Sequence, residues 1–188
     1  QGPMAAGSGV SLGKLRAGKL FGDDEWDRAS RAVGEFSRLP IRMLDRSSPD
    51  IAELVRVSRR WKHQHNIRAL YVDYLQRIES AALARSPKHE RVGSVARALK
   101  NLARDLRIPV IVLAQVNREA DGERPQMKHL SDSSEIEKEA DQIMMLWRDL
   151  SDPKVAIADA EINVVKNRHG NIGTVKCEWH GSSTSFVD

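Results

Sequence analysis

Three short stretches carry side chains that could do chemistry together. In the first, Ile67–Gln76, the apolar run Ala69-Leu-Tyr-Val72 ends on the acid Asp73. Such a run suits a buried strand better than a helix. Parallel α/β sheets bind ligands at the C-terminal ends of their strands, and a carboxylate there can hold Mg²⁺ through water against phosphate oxygens. An Asp closing a strand is equally a helix cap or a turn residue, and on this stretch alone both readings of Asp73 stand.

The second stretch is Val110-Ile-Val-Leu113, which runs on into Ala114-Gln115. One predicted helix separates it from the first. A right-handed crossover would therefore bring Asp73 and Gln115 to the same sheet edge. A carboxylate for Mg²⁺ and an amide that senses phosphate or positions water are parts of a nucleotide-hydrolysing site; the alternative for Gln115 is an amide bonded to its own loop. The third stretch is Lys166-Asn-Arg168. Residues two apart on a strand share a face, so both cations can address one target. They could reach a neighbouring subunit's γ-phosphate, as an arginine finger does, or form a solvated basic turn.

The elements that must hold these residues are legible from periodicity. A helix is predicted from about Asp24 to Ser37, capped by Asp23, with Trp26, Ala29, Val33 and Phe36 on one face. Ile41–Leu44 reads as a short strand. Ser48-Pro49 opens a second helix, a capping hydroxyl followed by proline, with Ile51, Leu54, Val55, Ser58 and Trp61 on its face as far as about His65. The segment after Gln76, with Ser86-Pro87, reads as a mobile loop. Arg91–Arg107 is the clearest helix, with Val92, Val95, Ala96, Leu99, Leu102, Ala103 and Leu106 as its stripe, stopped by Pro109. Residues 116–134 form a long polar loop of the kind that carries function. Ile143–Trp147 reads as a third buried strand, and Ala160–Lys166 with Gly173–Trp179 as a hairpin. The fold expected is α/β: a mostly parallel sheet flanked by helices, with a C-terminal antiparallel hairpin.

Composition sets limits. The 188 residues suit one domain. The single Cys177 excludes a disulfide within the chain and fits a reducing, cytoplasmic setting; on its strand it reads as core beside Val175 and Trp179. No apolar run is long enough to span a membrane, so no membrane role is expected. The net charge of +4 permits an anionic partner without arguing for a groove, because 30 basic residues are mixed among 26 acids. Residues 1–4 read as a cloning scar and 5–22 as a flexible lead-in. Gly9-Val-Ser-Leu-Gly13-Lys14-Leu15 imitates a phosphate-binding loop but fails its spacing. The leading glycine would fall on Ser8, and the Mg²⁺-binding hydroxyl is replaced by Leu15. His63, His65, His89, His129, His169 and His180 are too scattered to form a zinc site.

In this order the motifs resemble those of the RecA-like C-terminal ATPase domain of DnaB-type replicative helicases, over most of residues 11–188. Leu15–Leu20 with Asp24-Glu-Trp26 is similar to the family's segment after its first motor motifs, and Tyr71-Val-Asp-Tyr-Leu-Gln76 to its Walker B motif. Ile108–Arg118 resembles its sensor strand. Arg124-Pro-Gln-Met127 and Ser134–Asp141 resemble the DNA-facing loop and its exit. Lys166-Asn-Arg168, Gly173-Thr-Val175 and Phe186 resemble the last motif. The resemblance implies that Asp73 serves Mg²⁺ and ATP, that Gln115 couples the γ-phosphate to the DNA loop, and that Lys166 and Arg168 act in trans. It implies single-stranded DNA contacts at Arg118, Arg124, Ser131, Asp132, Ser133 and Ser134. The whole protein would be a homohexamer unwinding DNA 5′ to 3′, with primase and a helicase loader as further partners. The competing readings are a non-catalytic DNA- or replisome-binding module and a RadA- or RecA-type recombination ATPase.

Two departures from the pattern matter. The P-loop and the glutamate motif after it are expected before residue 11 and are absent, so the fold is expected to be incomplete on its N-terminal side and the chain ATPase-deficient. The run Leu130-Ser-Asp-Ser-Ser134 stands where the family carries Leu-Arg-Glu/Asp-Ser-Gly, so Ser131 replaces the arginine.

Overall fold

The computed structural model describes residues 7–18, 22–117, 123–130, 133–152 and 155–188. The chain divides into two compact units. One comprises Asp45–Met145 and Val164–Ile172; the other comprises residues up to Leu44, Leu146–Asn163 and Gly173–Asp188.

The first unit is built on a short parallel pair. Strand β1, Leu70–Val72, pairs in parallel with β2, Val110–Val112, in the register Leu70↔Val110 and Val72↔Val112. The crossover between them is helix α4, Lys88–Leu106, one turn longer at its start than periodicity predicts. Its stripe packs as expected. Val92, Val95, Leu99 and Leu102 are buried and join Leu70, Val72, Leu75, Ile108 and Ile143 in one core. Arg107, in the left-handed region at φ 52°, closes the helix ahead of Pro109. Helix α3, Ile51–His65, buries Leu54, Val57 and Ser58 and ends on Asn66 at φ 47°, a left-handed cap that asparagine tolerates.

The start of α3 differs from the sequence expectation. Its cap is Asp50, whose Oδ1 accepts the Ala52 N–H at 2.8 Å; Ser48 lies outside the helix. Asp50 Oδ2 also accepts the Ala81 N–H at 2.8 Å, and Ile51 N–H donates to the Glu79 carbonyl at 2.9 Å. These bonds explain why residues 75–83 are shaped rather than patternless. They form two 3₁₀ turns, Leu75–Arg77 and Ala81–Leu83, with Ile78 and Ser80 buried. A further helix that periodicity does not reveal, α5, spans Ser133–Glu139.

The remaining strands are β3, Gln142–Arg148, β4, Ile157–Asn167, β5, Gly173–His180, and β6, Ser185–Val187, hydrogen-bonded in the order β3-β4-β5-β6. The β4–β5 hairpin is where the sequence places it. Strand β3 belongs with this sheet and not with the parallel pair. It alternates, with Ile143 and Met145 buried between exposed Gln142, Met144 and Leu146, which is the signature of a strand covered on one face. Residues 41–46 form no strand.

In the second unit, α1 spans Leu12–Ala17 and α2 spans Asp23–Arg38. Gly22, not Asp23, stands at the α2 cap. Ala29 and Ala32 are buried, while Trp26, Val33 and Phe36 of the predicted face are exposed. Lys14 of the loop-like run pairs with Glu25 at 2.6 Å, a structural use of that cation. Trp179 meets Phe186 edge to face at 4.9 Å, and the Arg148 guanidinium lies 4.6 Å from the Trp179 ring centre. Cys177 is only half-buried and its neighbour Val175 is exposed, so it is not a core residue. Among the described residues no helix is long and apolar enough to cross a membrane.

Candidate functional site

Asp73 follows the last residue of β1 and Gln115 lies just beyond β2, both exposed. Parallel pairing puts the two strand ends side by side, and the ladder continues past them. Leu113 N–H donates to the Val72 carbonyl at 2.9 Å, and Leu75 N–H to the Leu113 carbonyl at 2.8 Å. Gln76 completes the connection: its Oε1 accepts the Gln115 N–H at 3.2 Å. Its Nε2 is buried and has no hydrogen-bond partner among the described residues. The Asp73–Tyr74 peptide bond is cis. The sequence expectation of a shared edge for Asp73 and Gln115 therefore holds. The part played by Gln76 was visible only as the last letter of a motif.

The side chains of Asp73 and Gln115 make no hydrogen bond or ion pair among the described residues. A lone exposed carboxylate at a strand end suits Mg²⁺, which keeps most of its waters and uses one or two carboxylates beside substrate phosphates. Among the described residues no group of three or more His, Cys, Asp or Glu could hold a metal without such a substrate.

Lys166 and Arg168 lie at the tip of β4 and the turn after it. Their polar partners are on α5 and the residues that follow it, not on Asp73 or Gln115. Lys166 Nζ donates to the Glu137 carbonyl and Arg168 Nη2 to the Lys138 carbonyl. These are C-terminal carbonyls of a helix, where cations are favoured. Arg168 N–H donates to the Asp141 carbonyl at 2.9 Å, and Nη1 lies 3.6 Å from Asp141 Oδ1. Lys100 of α4 bonds the other Asp141 oxygen. That bond, with the charges of Lys100, Arg168 and His169, holds the Asp141 carboxyl below its ordinary range. Asp141, Lys100 and α5 were missed by sequence reasoning.

The base of the 116–134 loop is closed. Val116 and Leu130 form an antiparallel bridge, Asn117 N–H donates to the His129 carbonyl at 2.7 Å, and Met127–His129 make a 3₁₀ turn. His129 is buried and its Nδ1 accepts the Gln126 N–H at 3.1 Å. Leu130 is part of the core. Of the predicted DNA contacts, Arg124 and Ser134 are exposed. Ser133 opens α5, and Arg118, Ser131 and Asp132 lie outside the described residues.

Comparison with known proteins matches residues 3–188 to the family described as DnaB-like helicase C terminal domain. The replicative DNA helicase DnaB of Treponema pallidum (strain Nichols) is 36% identical over 184 residues, which are 98% of this chain and 40% of that protein. Its counterpart in Geobacillus stearothermophilus is 31% identical over 193 residues, 98% of this chain and 42% of that one. Among solved structures, the ATPase domain of G40P superposes with a TM-score of 0.88 at 27% identity, covering 100% of this chain and 68% of its own. A DnaB-like replicative helicase, described with its interactions with primase, gives 0.87 at 27% identity, covering 99% and 46%. The chain thus spans about two fifths of the length of these curated relatives.

Proposed function

The chain belongs to the DnaB-like helicase C-terminal domain family, and from that premise we propose that it is the greater part of the RecA-like motor of a hexameric replicative DNA helicase. The reading is carried by one observation: the Asp-Tyr-Leu-Gln run, Asp73 to Gln76, is bonded through Gln76 to the main chain of Gln115 just beyond the adjoining parallel strand. An acid and an amide at one sheet edge are the parts a nucleotide site would need, which supports the reading.

When bound, Mg²⁺ and ATP supply the phosphoryl group and neutralise its charge. Asp73 would hold Mg²⁺, through water, with its exposed carboxylate. Gln115 offers its amide, tethered through its main chain to Gln76, where a γ-phosphate or attacking water can be sensed. Lys166 and Arg168 would offer their cations to the ATP of the next subunit, where positive charge favours the transition state. The 116–134 loop meets the phosphates of single-stranded DNA through Arg118, Arg124, main-chain groups and the hydroxyls of Ser131, Ser133 and Ser134, with Asp132 among them. The whole protein is a homohexamer moving 5′ to 3′ in the cytoplasm, with primase and a loader as partners. The 188 residues contain no G-x-x-x-x-G-K-[ST] run, so on their own they are expected not to hydrolyse ATP, for want of the amides and lysine that cradle phosphates.

The test is strand displacement by the full-length protein on a duplex carrying either a 5′ or a 3′ single-stranded tail. ATP-dependent displacement on the 5′-tailed duplex supports the reading. Absence of displacement on both, with DNA still bound, overturns it in favour of a binding module.

A further inference from the structure

Helix α5 begins at the end of the loop assigned to DNA, and its last carbonyls hold both Lys166 and Arg168. It is seated closely on α4. A Cβ on Gly93 would lie 3.2 Å from Glu135 Cβ, so the absence of a side chain there is what lets α5 lie where it does. Immediately after α5 comes Asp141, where three elements meet. Its carbonyl accepts the Arg168 N–H, one carboxylate oxygen faces the Arg168 guanidinium, and the other is bonded by Lys100 from α4. Asp141 is thus the anion that Lys100 and Arg168 share.

We propose that Asp141 is a positioning residue for Arg168: it locks the guanidinium in register with α5, so that DNA held at the preceding loop sets the placement of the trans-acting cations. This rests on the reading that Arg168 serves a neighbour's ATP. The work of Asp141 is to keep Arg168 on α5 while α5 answers to the loop, and Lys100 ties the same point to the crossover helix between the Asp73 and Gln115 strands.

The test uses the full-length protein, with kcat and KM for ATP measured with and without single-stranded DNA, and thermal unfolding alongside. Asp141→Asn is expected to lower kcat about tenfold with KM within about twofold, because a positioning residue acts on the transition state through Arg168 and not on nucleotide binding. It is also expected to abolish most of the DNA stimulation, while Asp141→Glu restores part of both. The double variant Lys100→Asp with Asp141→Lys remakes the bridge to α4 but sets a cation against Arg168. Recovered thermal stability with turnover still low supports positioning; turnover that returns with stability reduces Asp141 to a structural role and overturns the proposal. Asp141→Asn with kcat and DNA stimulation within about twofold of the unaltered protein overturns it as well. Arg168→Ala, measured in parallel, separates the two ideas. If Arg168→Ala loses turnover while Asp141→Asn keeps it, only the positioning role falls. If Arg168→Ala keeps turnover, the reading beneath it falls too.

Discussion

The main-chain N–H of Gln115 is held by the side-chain oxygen of Gln76 at 3.2 Å, 39 residues away in sequence. The bond crosses from one strand end to the next and fixes the main chain that carries the Gln115 amide. Gln76 therefore braces the main chain of the candidate site through its side-chain oxygen.

Gln76→Leu should separate stability from function. It removes the acceptor of the Gln115 N–H, but it also removes a buried amide nitrogen that has no partner among the described residues. The two effects oppose, so unfolding stability should change by no more than about 1 kcal/mol. ATP turnover of the full-length protein should fall about tenfold or more, because a small displacement of a positioning group is costly. Thermal melts and steady-state turnover on the same preparation check both halves.

Asp50 should make the chain acid-sensitive. Its carboxyl is held below the usual carboxylate value chiefly by the Ala81 N–H and next by that of Ala52. A depressed folded-state pKa contributes stability above the unfolded value, and that contribution is lost as pH falls through the folded one. Asp50→Ala should cost about 1–2 kcal/mol near neutral pH. The gap between variant and parent should narrow as pH drops below about 3.8. Melting curves across that range decide it, and a gap that widens on acidification contradicts the assignment.

Gly93→Ala should loosen the seat of α5. The new methyl would meet Glu135 Oε2 at 2.9 Å and its Cβ and Cγ at 3.2 Å. The carboxylate can swing away, but the Cβ moves only with the helix, so a loss of about 1–3 kcal/mol is expected. Amide exchange should quicken along Ser133–Glu139 more than along β1.

What the sequence disclosed followed from periodicity. The α4 stripe repeats an apolar pattern that burial matches; the two parallel strands and the β4–β5 hairpin form where their patterns put them, but Tyr71, Leu113 and Val175 of those patterns are exposed. Helix α5 has no such pattern, because Ser-Ser-Glu-Ile-Glu-Lys-Glu offers only Ile136 to the core. Its helicity depends on α4 and on Gly93, neither of which local sequence reports. The exposed Trp26, Val33 and Phe36 show the opposite failure, a helical stripe that burial does not match. For the site, Asp73 and Gln115 were legible because strand ends are. The Lys100–Asp141–Arg168 cluster was not, since its members stand 41 and 27 residues apart and meet only through the fold.

Binding to single-stranded DNA should be weakly salt-dependent. Between Val116 and Ser134 the loop has Arg118, Arg124 and Lys128 against Glu119, Asp121, Glu123 and Asp132. At most three phosphates can be neutralised, which sets a slope of log K against log salt of about −2 for single strands. Fluorescence anisotropy with an oligo-dT probe across a fourfold salt range should therefore show no more than about a twentyfold loss. A slope near −5 would place the DNA on another surface.

The most direct test is ATP hydrolysis by the full-length protein carrying Arg168→Ala, with nucleotide affinity measured on the same sample. Turnover should fall by about 10³-fold, the scale of a lost trans-acting arginine, while ATP affinity and the melting temperature stay near those of the unaltered protein. Turnover within about tenfold of the unaltered protein, with DNA stimulation intact, would contradict the claim that Arg168 completes a neighbour's site.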